Sequence, residues 1–257
     1  MSAEAYVTFS LTVAEGKRLI AKGLARLPQV ERAMAEGIVV ITRSTTSGYV
    51  LEELLGESVD RSSFVTGRTL PAGHPERGEM LSADMPEAVL RAGVRDEHYD
   101  EGALVDELSA GDVIVKSPNA LDYRRGVVGY LIGAPTGGTV GKYLGPAHGK
   151  HLHFVAPCGL EKQVASDLVQ ASRLMAEAGE KGEGPALWTT PAQIVTELDA
   201  IELLTGAGAM QVAAGGVMGA EGAVWITAFG TEAEIAAVNA HVEEVHGEPD
   251  MLEYVQG

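Results

Sequence analysis

Residues 42–48 hold the polar side chains best suited to bind a small anion. They read Thr-Arg-Ser-Thr-Thr-Ser-Gly and follow an apolar run, residues 37–41, that predicts a buried strand. A helix is predicted directly afterwards, over residues 49–55. A turn between strand and helix offers backbone N–H groups and the positive end of the helix dipole to an anion. Ordinary capping of the helix by serine and threonine is the alternative interpretation. The candidate anion ligands are Arg43, Ser44, Thr45, Thr46 and Ser47.

A second candidate anion loop is the glycine-rich segment of residues 133–142, Gly-Ala-Pro-Thr-Gly-Gly-Thr-Val-Gly-Lys. It is not a nucleotide-binding P-loop, because that motif needs glycine at Thr136 and serine or threonine at Tyr143. A single phosphate or carboxylate still suits such a loop, whereas the alternative is a tight turn that uses glycine for its backbone freedom. The candidate ligands here are Gly137, Gly138, Thr139 and Lys142.

Asn119 and Asp122 are the candidate catalytic residues, because they follow a predicted strand at Val113–Val115. A carboxylate at such a strand end could act as a general base or hold a sugar hydroxyl. An Asx turn, in which the side chain bonds only to its own backbone, is the alternative.

Three histidines and one cysteine also carry reactive groups. A strand would place His151 and His153 on one face, with His148 on the loop before them. Hydrogen-bonded structural histidines are commoner than metal ligands, so we predict neither a metal site nor a cofactor. Cys158 precedes a predicted helix, which would favour a thiolate, yet a small buried hydrophobic role is more usual.

These loops require a sheet to position them. Apolar runs at Val113–Val115, Val127–Ile132 and residues 151–156 are bounded by glycine and proline, as is typical of strands buried on both faces. The loops would then meet at the carboxyl ends of neighbouring strands, where open α/β sheets bind ligands. We therefore predict an α/β domain over residues 1–180, with an open, mostly parallel sheet covered by helices.

Two stretches around this sheet have less regular patterns. Residues 61–110 begin with a candidate strand at 63–70 and end with a candidate helix at 100–108. The irregular loop between them, residues 71–92, predicts either a functional flap or a poorly ordered segment. Residues 160–178 predict one amphipathic helix.

The segment of residues 185–257 predicts a small ferredoxin-like α+β domain after a linker at 180–185. Its apolar pattern follows the order β-α-β-β-α, and residues 251–255 would supply the closing strand. The predicted strands are 186–189, 209–214 and 223–229, and the predicted helices begin with the caps Thr190 and Thr231.

Composition excludes several classes of partner. The 257 residues carry a formal net charge of −17, which repels nucleic acid and anionic bilayers. One cysteine fits a reducing compartment. The chain shows neither a signal-peptide pattern nor an apolar run of membrane-spanning length. We expect a cytoplasmic protein that contacts neither nucleic acid nor membrane.

Residues 37–160 resemble the type A ribose-5-phosphate isomerases, which share a fold superfamily with glucosamine-6-phosphate deaminases and CoA transferases. The strand, hydroxyl-rich turn and helix of residues 37–55 look like the family's first strand, phosphate loop and helix. Residues 117–122, Ser-Pro-Asn-Ala-Leu-Asp, are similar to its Gly-Ala-Asp-Glu-Val-Asp, and residues 135–141 resemble its glycine run. The resemblance implies a sugar-phosphate ligand and an accompanying ferredoxin-like domain. However, Asn119 and Ala120 stand where the family has two acidic residues. The acidic groups that its proton transfer needs are therefore missing, and Asp122 is what remains of that acidic motif.

Two hypotheses about function follow. In the first, the protein is an enzyme that acts on a small phosphorylated or carboxylated metabolite, with an isomerase-like site that lacks the full acid/base set. In the second, it is a non-catalytic anion-binding or assembly protein. We expect a homo-oligomer in either case, because both faces of the strand at 223–229 are largely apolar. The apolar side chains available for contacts between subunits are Met210, Val212, Val224 and Ile226.

Overall fold

The computed structural model describes residues 3–182 and 184–256. The strands in chain order are β1 Ala5–Leu11, β2 Ile38–Ile41, β3 Ala88–Arg91, β4 Val94–Arg95, β5 Val113–Val115, β6 Ala120–Asp122, β7 Val127–Ile132, β8 His153–Pro157, β9 Ala186–Pro191, β10 Gln193–Val195, β11 Gly208–Ala214 and β12 Val224–Gly230. The α-helices are α1 Val13–Ala25, α2 Pro28–Glu36, α3 Thr45–Leu55, α4 Leu104–Glu107, α5 Gly138–Gly149, α6 Leu168–Glu180, α7 Glu197–Thr205, α8 Glu232–Val245 and α9 Met251–Gln256. Within the described residues, no helix is both long enough and apolar enough to cross a membrane.

The central sheet has six strands in the order β10-β8-β5-β2-β3-β4. The first four are mutually parallel, whereas β3 and β4 are antiparallel additions at one edge. Every residue of β5 is buried, which explains why its sequence is a continuous β-branched run rather than an alternating one. The predicted α/β class with a mostly parallel sheet is confirmed.

The carboxyl ends of the parallel strands are tied together by backbone hydrogen bonds that continue past the strands. The amide of Thr42 donates to the carbonyl of Val115 at 3.0 Å, and that of Lys116 donates to Val155 at 2.9 Å. The amide of Cys158 donates to Val195 at 2.9 Å. The loops after β2, β5 and β8 therefore begin side by side on one rigid edge.

β7 does not join this central sheet, contrary to the sequence prediction. It lies in the middle of an antiparallel sheet of order β6-β7-β9. The reason is the short connection from β6, a 3₁₀ turn closed by Gly126 at φ 65°. A turn this short joins antiparallel neighbours, because a parallel pair needs a crossover of a dozen or more residues.

A third sheet has the order β1-β12-β11 and is antiparallel throughout. β1 was not predicted, and it pairs with β12 over seven residues. The predicted closing strand at 251–255 is wrong, because these residues form α9. Asp250 and Glu253 explain the helix, since each side chain accepts a hydrogen bond from the other's backbone amide, as in a capping box.

The segments 1–180 and 185–257 are interleaved in these sheets. β9 pairs with β7, β10 pairs with β8, and β1 pairs with β12. The helix predicted from Thr190 ends before Gly206 as expected, but its predicted start is wrong, because Thr190 lies in β9. α7 instead begins after Thr196, whose side chain and backbone form a capping box with Asp199.

The remaining stretches are less regular than their patterns predicted. Residues 63–70 form no strand, and a 3₁₀ helix occupies Pro75–Met80. The helix predicted at 100–108 is reduced to α4. Residues 160–178 are not one helix, because a 3₁₀ turn at Leu160–Lys162 precedes α6, which Asp167 caps.

Candidate functional site

A cleft of about 820 Å³ lies at the carboxyl edge of the central sheet. Its floor comes from the loops after β2, β5 and β8. Its walls come from residues 65–81, from the β7–α5 turn and from α9. The lining comprises residues 43–45, 65–70, 116–119, 130–134 and 138–140, with Arg77, Met80, Leu81, Lys162, Pro185, Met251, Leu252 and Val255.

The cleft is cationic, although the chain as a whole is strongly acidic. Five of its lining side chains are basic, and none of the described lining residues is an aspartate or glutamate. Because the whole chain carries −17, this segregation of charge is opposite to what its composition would produce by chance. The five basic side chains are Arg43, Arg68, Arg77, Lys116 and Lys162.

Arg43 is held in place without being neutralised. Its Nη1 donates to the carbonyl oxygens of Ala83 and Met85 at 3.3 and 3.4 Å. Within the described part of the chain, Arg43 forms no ion pair. Since both partners are neutral carbonyls, they do not compensate the positive charge of the guanidinium beside the cleft.

Lys116 and Lys162 bring two further amines to the floor of the cleft. Lys162 Nζ donates to Ser117 Oγ at 3.0 Å, and Lys116 Nζ lies 5.6 Å from the centre of the Tyr130 ring. Burial lowers the pKa of Lys116 to about 8, and the neighbouring charge of Lys162 lowers it in the same direction, against the pull of Glu87. The ammonium form of Lys116 is therefore poorly stabilised by the protein alone.

The first turn of α3 has unused hydrogen-bonding groups beside Arg43. Ser44 caps the helix, since its Oγ accepts from the Ser47 amide at 2.9 Å. The amides of Thr45 and Thr46 have no acceptor among the described residues, and the buried Thr46 Oγ1 is likewise without a partner. Ser44 and Thr45 line the cleft, whereas Thr46 and Ser47 are fully buried and are not part of its lining.

The first turn of α5 also borders the cleft. Its N-cap is Gly137, which adopts φ 83° and contributes no side-chain hydrogen bond. A Cβ on Gly141 would collide with the carbonyl oxygen of Thr136, so the tight turn requires glycine there. Gly138 and Thr139 line the cleft, while Gly137 faces a neighbouring hollow beside Trp188.

Both predicted anion loops thus border one cleft, together with residues that the sequence prediction did not include. The predicted residues that the fold brings together there are Arg43, Ser44, Thr45, Asn119, Gly138 and Thr139. The predicted residues that it leaves outside the lining are Thr46, Ser47, Gly137, Asp122 and Lys142.

Comparisons with protein-family models, curated proteins and solved structures found no match to this chain. The resemblance to sugar-phosphate isomerases therefore stays a prediction. What the protein does has to be argued from the chemistry of the cleft itself.

Asn119 and Asp122 have different surroundings. Asn119 lines the cleft, and its Oδ1 accepts from the Leu131 amide at 2.9 Å, which leaves its side-chain Nδ2 without a partner among the described residues. Asp122 bonds to Arg125 through both carboxylate oxygens, at 3.1 Å to the amide and 2.8 Å to Nη1. The hydrogen bond from the Arg125 side chain lowers the pKa of Asp122. Asp122 thus stabilises the β6–β7 turn and lies away from the cleft lining.

Lys142 is engaged on the far side of α5. Its Nζ lies 3.1 Å from Glu87 Oε2 and 3.4 Å from Glu101 Oε1. Tyr143 donates to the same oxygen of Glu87 at 2.6 Å. Lys142 therefore joins a carboxylate network and does not reach the cleft.

The three histidines and the cysteine singled out in the sequence are not part of the cleft lining. His153 begins β8, at the end of the strand opposite to the cleft, where its Nε2 is 3.3 Å from Arg32 Nη2. In residues 3–182 and 184–256, no group of three or more His, Cys, Asp or Glu side chains is placed to hold a metal ion. Burial raises the pKa of Cys158 to about 12, so its thiolate is disfavoured.

One buried carboxyl group near the cleft escaped sequence reasoning. Glu197, at the start of α7, is almost fully buried, and its Oε2 accepts from the Leu160 amide at 3.0 Å. Burial and then the charge of Glu161 raise the pKa of Glu197 to about 8. Glu197 is therefore mostly protonated at neutral pH.

Sequence reasoning also missed most of the cleft's cations. Arg68 lies in the segment that was predicted as a candidate strand, Arg77 lies in the candidate flap, and Lys162 was assigned to a helix. A cue was present in the sequence, since residues 61–77 are richer in arginine than the acidic composition would suggest. Nothing local showed that these side chains would meet Arg43.

Proposed function

We propose that this protein is an enzyme acting on a small phosphorylated or carboxylated metabolite, which it binds in the cationic cleft. The observation that carries this proposal is the set of five basic side chains in a cleft whose described lining has no carboxylate, in a chain of net charge −17. Arg68 is exposed, but the other four are partly buried, and an unpaired cation there is costly without a counter-ion, so an anionic ligand is the natural complement.

The two helix N-termini support the same ligand. Arg43 and the free first-turn amides of α3 offer one anion subsite, and the first-turn amides of α5 offer another. Charge-assisted hydrogen bonds of this kind are stronger than neutral ones and discriminate an anion from a neutral analogue. A ligand with two anionic ends, or with one anion and a polar carbonyl or hydroxyl end, fits this arrangement.

The cleft lacks one group that an isomerase-like reaction would need. The cleft presents amide, hydroxyl and amine groups but no carboxylate from its described lining, so it lacks the general base that a ribose-phosphate isomerase would use. If the protein catalyses a proton shift on a sugar phosphate, a lysine has to take part.

Thermal denaturation in the presence of single anions tests the proposal. Inorganic phosphate, ribose 5-phosphate and glyoxylate, compared with neutral ribose, cover the classes that the cleft should accept. A ligand at a hundred times its Kd stabilises the folded state by about 2.7 kcal/mol, which is a shift of several degrees in a chain of this size. Arg77→Ala should reduce the shift, whereas Arg124→Ala, at an exposed arginine outside the cleft, should leave it unchanged. Equal shifts with ribose, or none with any anion, would count against the proposal.

A second candidate function is assembly through the sheet β1-β12-β11. One face of this sheet buries Val224, Ile226 and Ala228 against helices. The other face exposes Tyr6 by 63%, Met210 by 61% and Trp225 by 42% in the isolated chain. The rest of the described chain, residues 3–182 and 184–256, leaves these side chains exposed, so we propose that a second copy covers them.

A further inference from the structure

We propose that Lys116 is a nucleophile that forms an imine with the carbonyl carbon of an anionic aldehyde or ketone bound in the cleft. This inference rests on the proposed function, because the cationic cleft has to hold the anionic end of the substrate. It names the substrate class more narrowly, as a phosphorylated or carboxylated carbonyl compound.

The backbone of Lys116 is held rigidly at the floor of the cleft. Its amide donates to the carbonyl of Val155 at 2.9 Å, which extends the β5–β8 pairing by one residue. Its carbonyl accepts from the hydroxyl of Tyr130 at 3.3 Å. The side chain therefore starts from a defined point between the loops that carry Arg43 and Lys162, as a reactive group must if it is to meet a bound substrate in one orientation.

The amine of Lys116 lies over the Tyr130 ring and is not hydrogen-bonded within the described residues, unlike that of Lys162. Within residues 3–182 and 184–256, Lys116 Nζ makes no hydrogen bond or ion pair, whereas Lys162 Nζ donates to Ser117. Glu87 is the carboxylate that acts on Lys116 through space, but it is already bound by Tyr143 at 2.6 Å and by Lys142 at 3.1 Å. The structure thus leaves this amine free to react.

Burial makes the neutral form of the amine, which is the nucleophile, more accessible than in an exposed lysine. Burial and the neighbouring charge of Lys162 lower its pKa to about 8, against the pull of Glu87 and of the Tyr130 ring face, which favour the charged form. Desolvated lysines next to a second cation are the ones that form imines readily.

The chemistry balances without any oxidant, reductant or metal. The nitrogen lone pair attacks the carbonyl carbon, a C–N bond forms, and the carbonyl π electrons move to oxygen. A proton passes from nitrogen to that oxygen to give a neutral carbinolamine. A second proton, taken up from solvent by the hydroxyl group, lets it leave as water and gives the protonated imine. This cation draws electrons from the adjacent C–H and C–C bonds, so it activates the substrate for isomerisation or carbon–carbon cleavage.

Reductive trapping with pyridoxal 5′-phosphate tests the inference, because this probe is a phosphorylated aldehyde. The protein is incubated with the probe, reduced with borohydride and mapped by peptide mass spectrometry. We expect labelling at Lys116 at least about tenfold above that at the exposed Lys181, with protection by inorganic phosphate. Pyridoxal, which lacks the phosphate, should label Lys116 much less. Lys116→Met should abolish the adduct while Lys181→Met retains it, with circular dichroism to confirm that both variants fold.

The outcomes separate the two proposals. An adduct distributed evenly over surface lysines, or confined to Lys162, would overturn the role of Lys116. If calorimetry still shows phosphate binding in that case, the anion cleft stands and only the imine is lost. Labelling of Lys116 that is equal for pyridoxal and its phosphate, with no phosphate binding by calorimetry, would keep the reactive amine and remove the anion cleft.

Discussion

Lys162 donates a hydrogen bond to the hydroxyl of Ser117 at 3.0 Å, which joins the loop after β8 to the loop after β5. This contact keeps the Lys162 ammonium close to Lys116, the residue that precedes Ser117. Two like charges on a shared floor repel each other unless an anion lies between them. We therefore expect this relationship to favour an anion in the cleft and to help keep the pKa of Lys116 below its ordinary value.

The reactivity of Lys116 should therefore depend on Lys162. In Lys162→Met the repulsion is lost, so the pKa of Lys116 should rise above its value of about 8. The rate at which acetic anhydride, a neutral reagent, labels Lys116 should increase with pH through that pKa, and its midpoint should move upward in the variant. Peptide mass spectrometry across pH 6–10 measures the midpoint. A midpoint that stays in place in Lys162→Met, as it should in Lys181→Met, would show that burial alone sets the pKa.

Arg43 should contribute to binding more than to stability. Its protein partners are two neutral carbonyls at 3.3 and 3.4 Å, so Arg43→Ala should lower the free energy of unfolding by less than about 1 kcal/mol. Loss of a charge-assisted contact of about 1.5–3 kcal/mol should weaken phosphate binding by roughly tenfold to a hundredfold. Calorimetry and thermal denaturation, with Arg124→Ala as the control, measure both quantities. A large loss of melting temperature with unchanged binding would assign Arg43 a structural role.

Glu197 should make stability fall as pH rises. Its pKa is about 8 in the folded chain and near its ordinary value of 4.5 when unfolded, so unfolding releases a proton between these values. Its contribution is fully present below pH 4.5 and is lost as pH rises through 8, with a slope of at most about 1.4 kcal/mol per pH unit. Glu197→Gln keeps an acceptor for the Leu160 amide and should flatten this slope in urea denaturation from pH 5 to 8.5. The exposed Glu57→Gln should leave the slope as it is, and an equal slope in Glu197→Gln would refute the assignment.

Gly23 should be essential to the contact between α1 and α7. A Cβ at this position would approach the Cα and Cβ of Ala200 to 2.5 Å, so the helices would have to separate. Gly23→Ala should cost about 1–3 kcal/mol of unfolding free energy. The matched change Gly179→Ala, on the open surface of α6, meets nothing within 4 Å and should be neutral or stabilising by up to about 1 kcal/mol. Equal effects of the two changes in urea denaturation would contradict the packing argument.

The exposed face of the sheet β1-β12-β11 should mediate self-association. We expect light scattering at micromolar concentration to give a mass above that of one 26.9 kDa chain. Trp225→Lys places a charge in the centre of the exposed face and should shift the mass to that of a monomer. Val94→Lys, at a valine that is 71% exposed on β4, is the control and should not change the mass. A monomeric wild-type protein would overturn this prediction.

The local features of this protein could be predicted from the sequence because they depend on neighbours in the chain. The runs at β2 and β5 are almost wholly buried, so they are recognisable as continuous β-branched segments, and β8 is recognisable as a short apolar run that ends at Pro157. The hydroxyl-rich segment at the start of α3 and the glycine-rich segment at the start of α5 were recognisable because caps and tight turns impose residue types within a few positions. The acidic composition likewise argued against nucleic acid as a partner.

Which distant segments meet was decided only by the tertiary structure. The pairing of β1 with β12 joins residues more than 200 positions apart, and no local pattern encodes such a register. The same holds for Arg68, Arg77 and Lys162, which reach the cleft of Arg43 and Lys116 from an irregular stretch and a 3₁₀ turn. Asp122 and Lys142 had suitable chemistry in the sequence, but they form ion pairs outside the cleft lining. Asp122 pairs with Arg125, and Lys142 pairs with Glu87. Secondary structure follows from short-range sterics and capping, whereas the cleft depends on long-range packing and charge pairing.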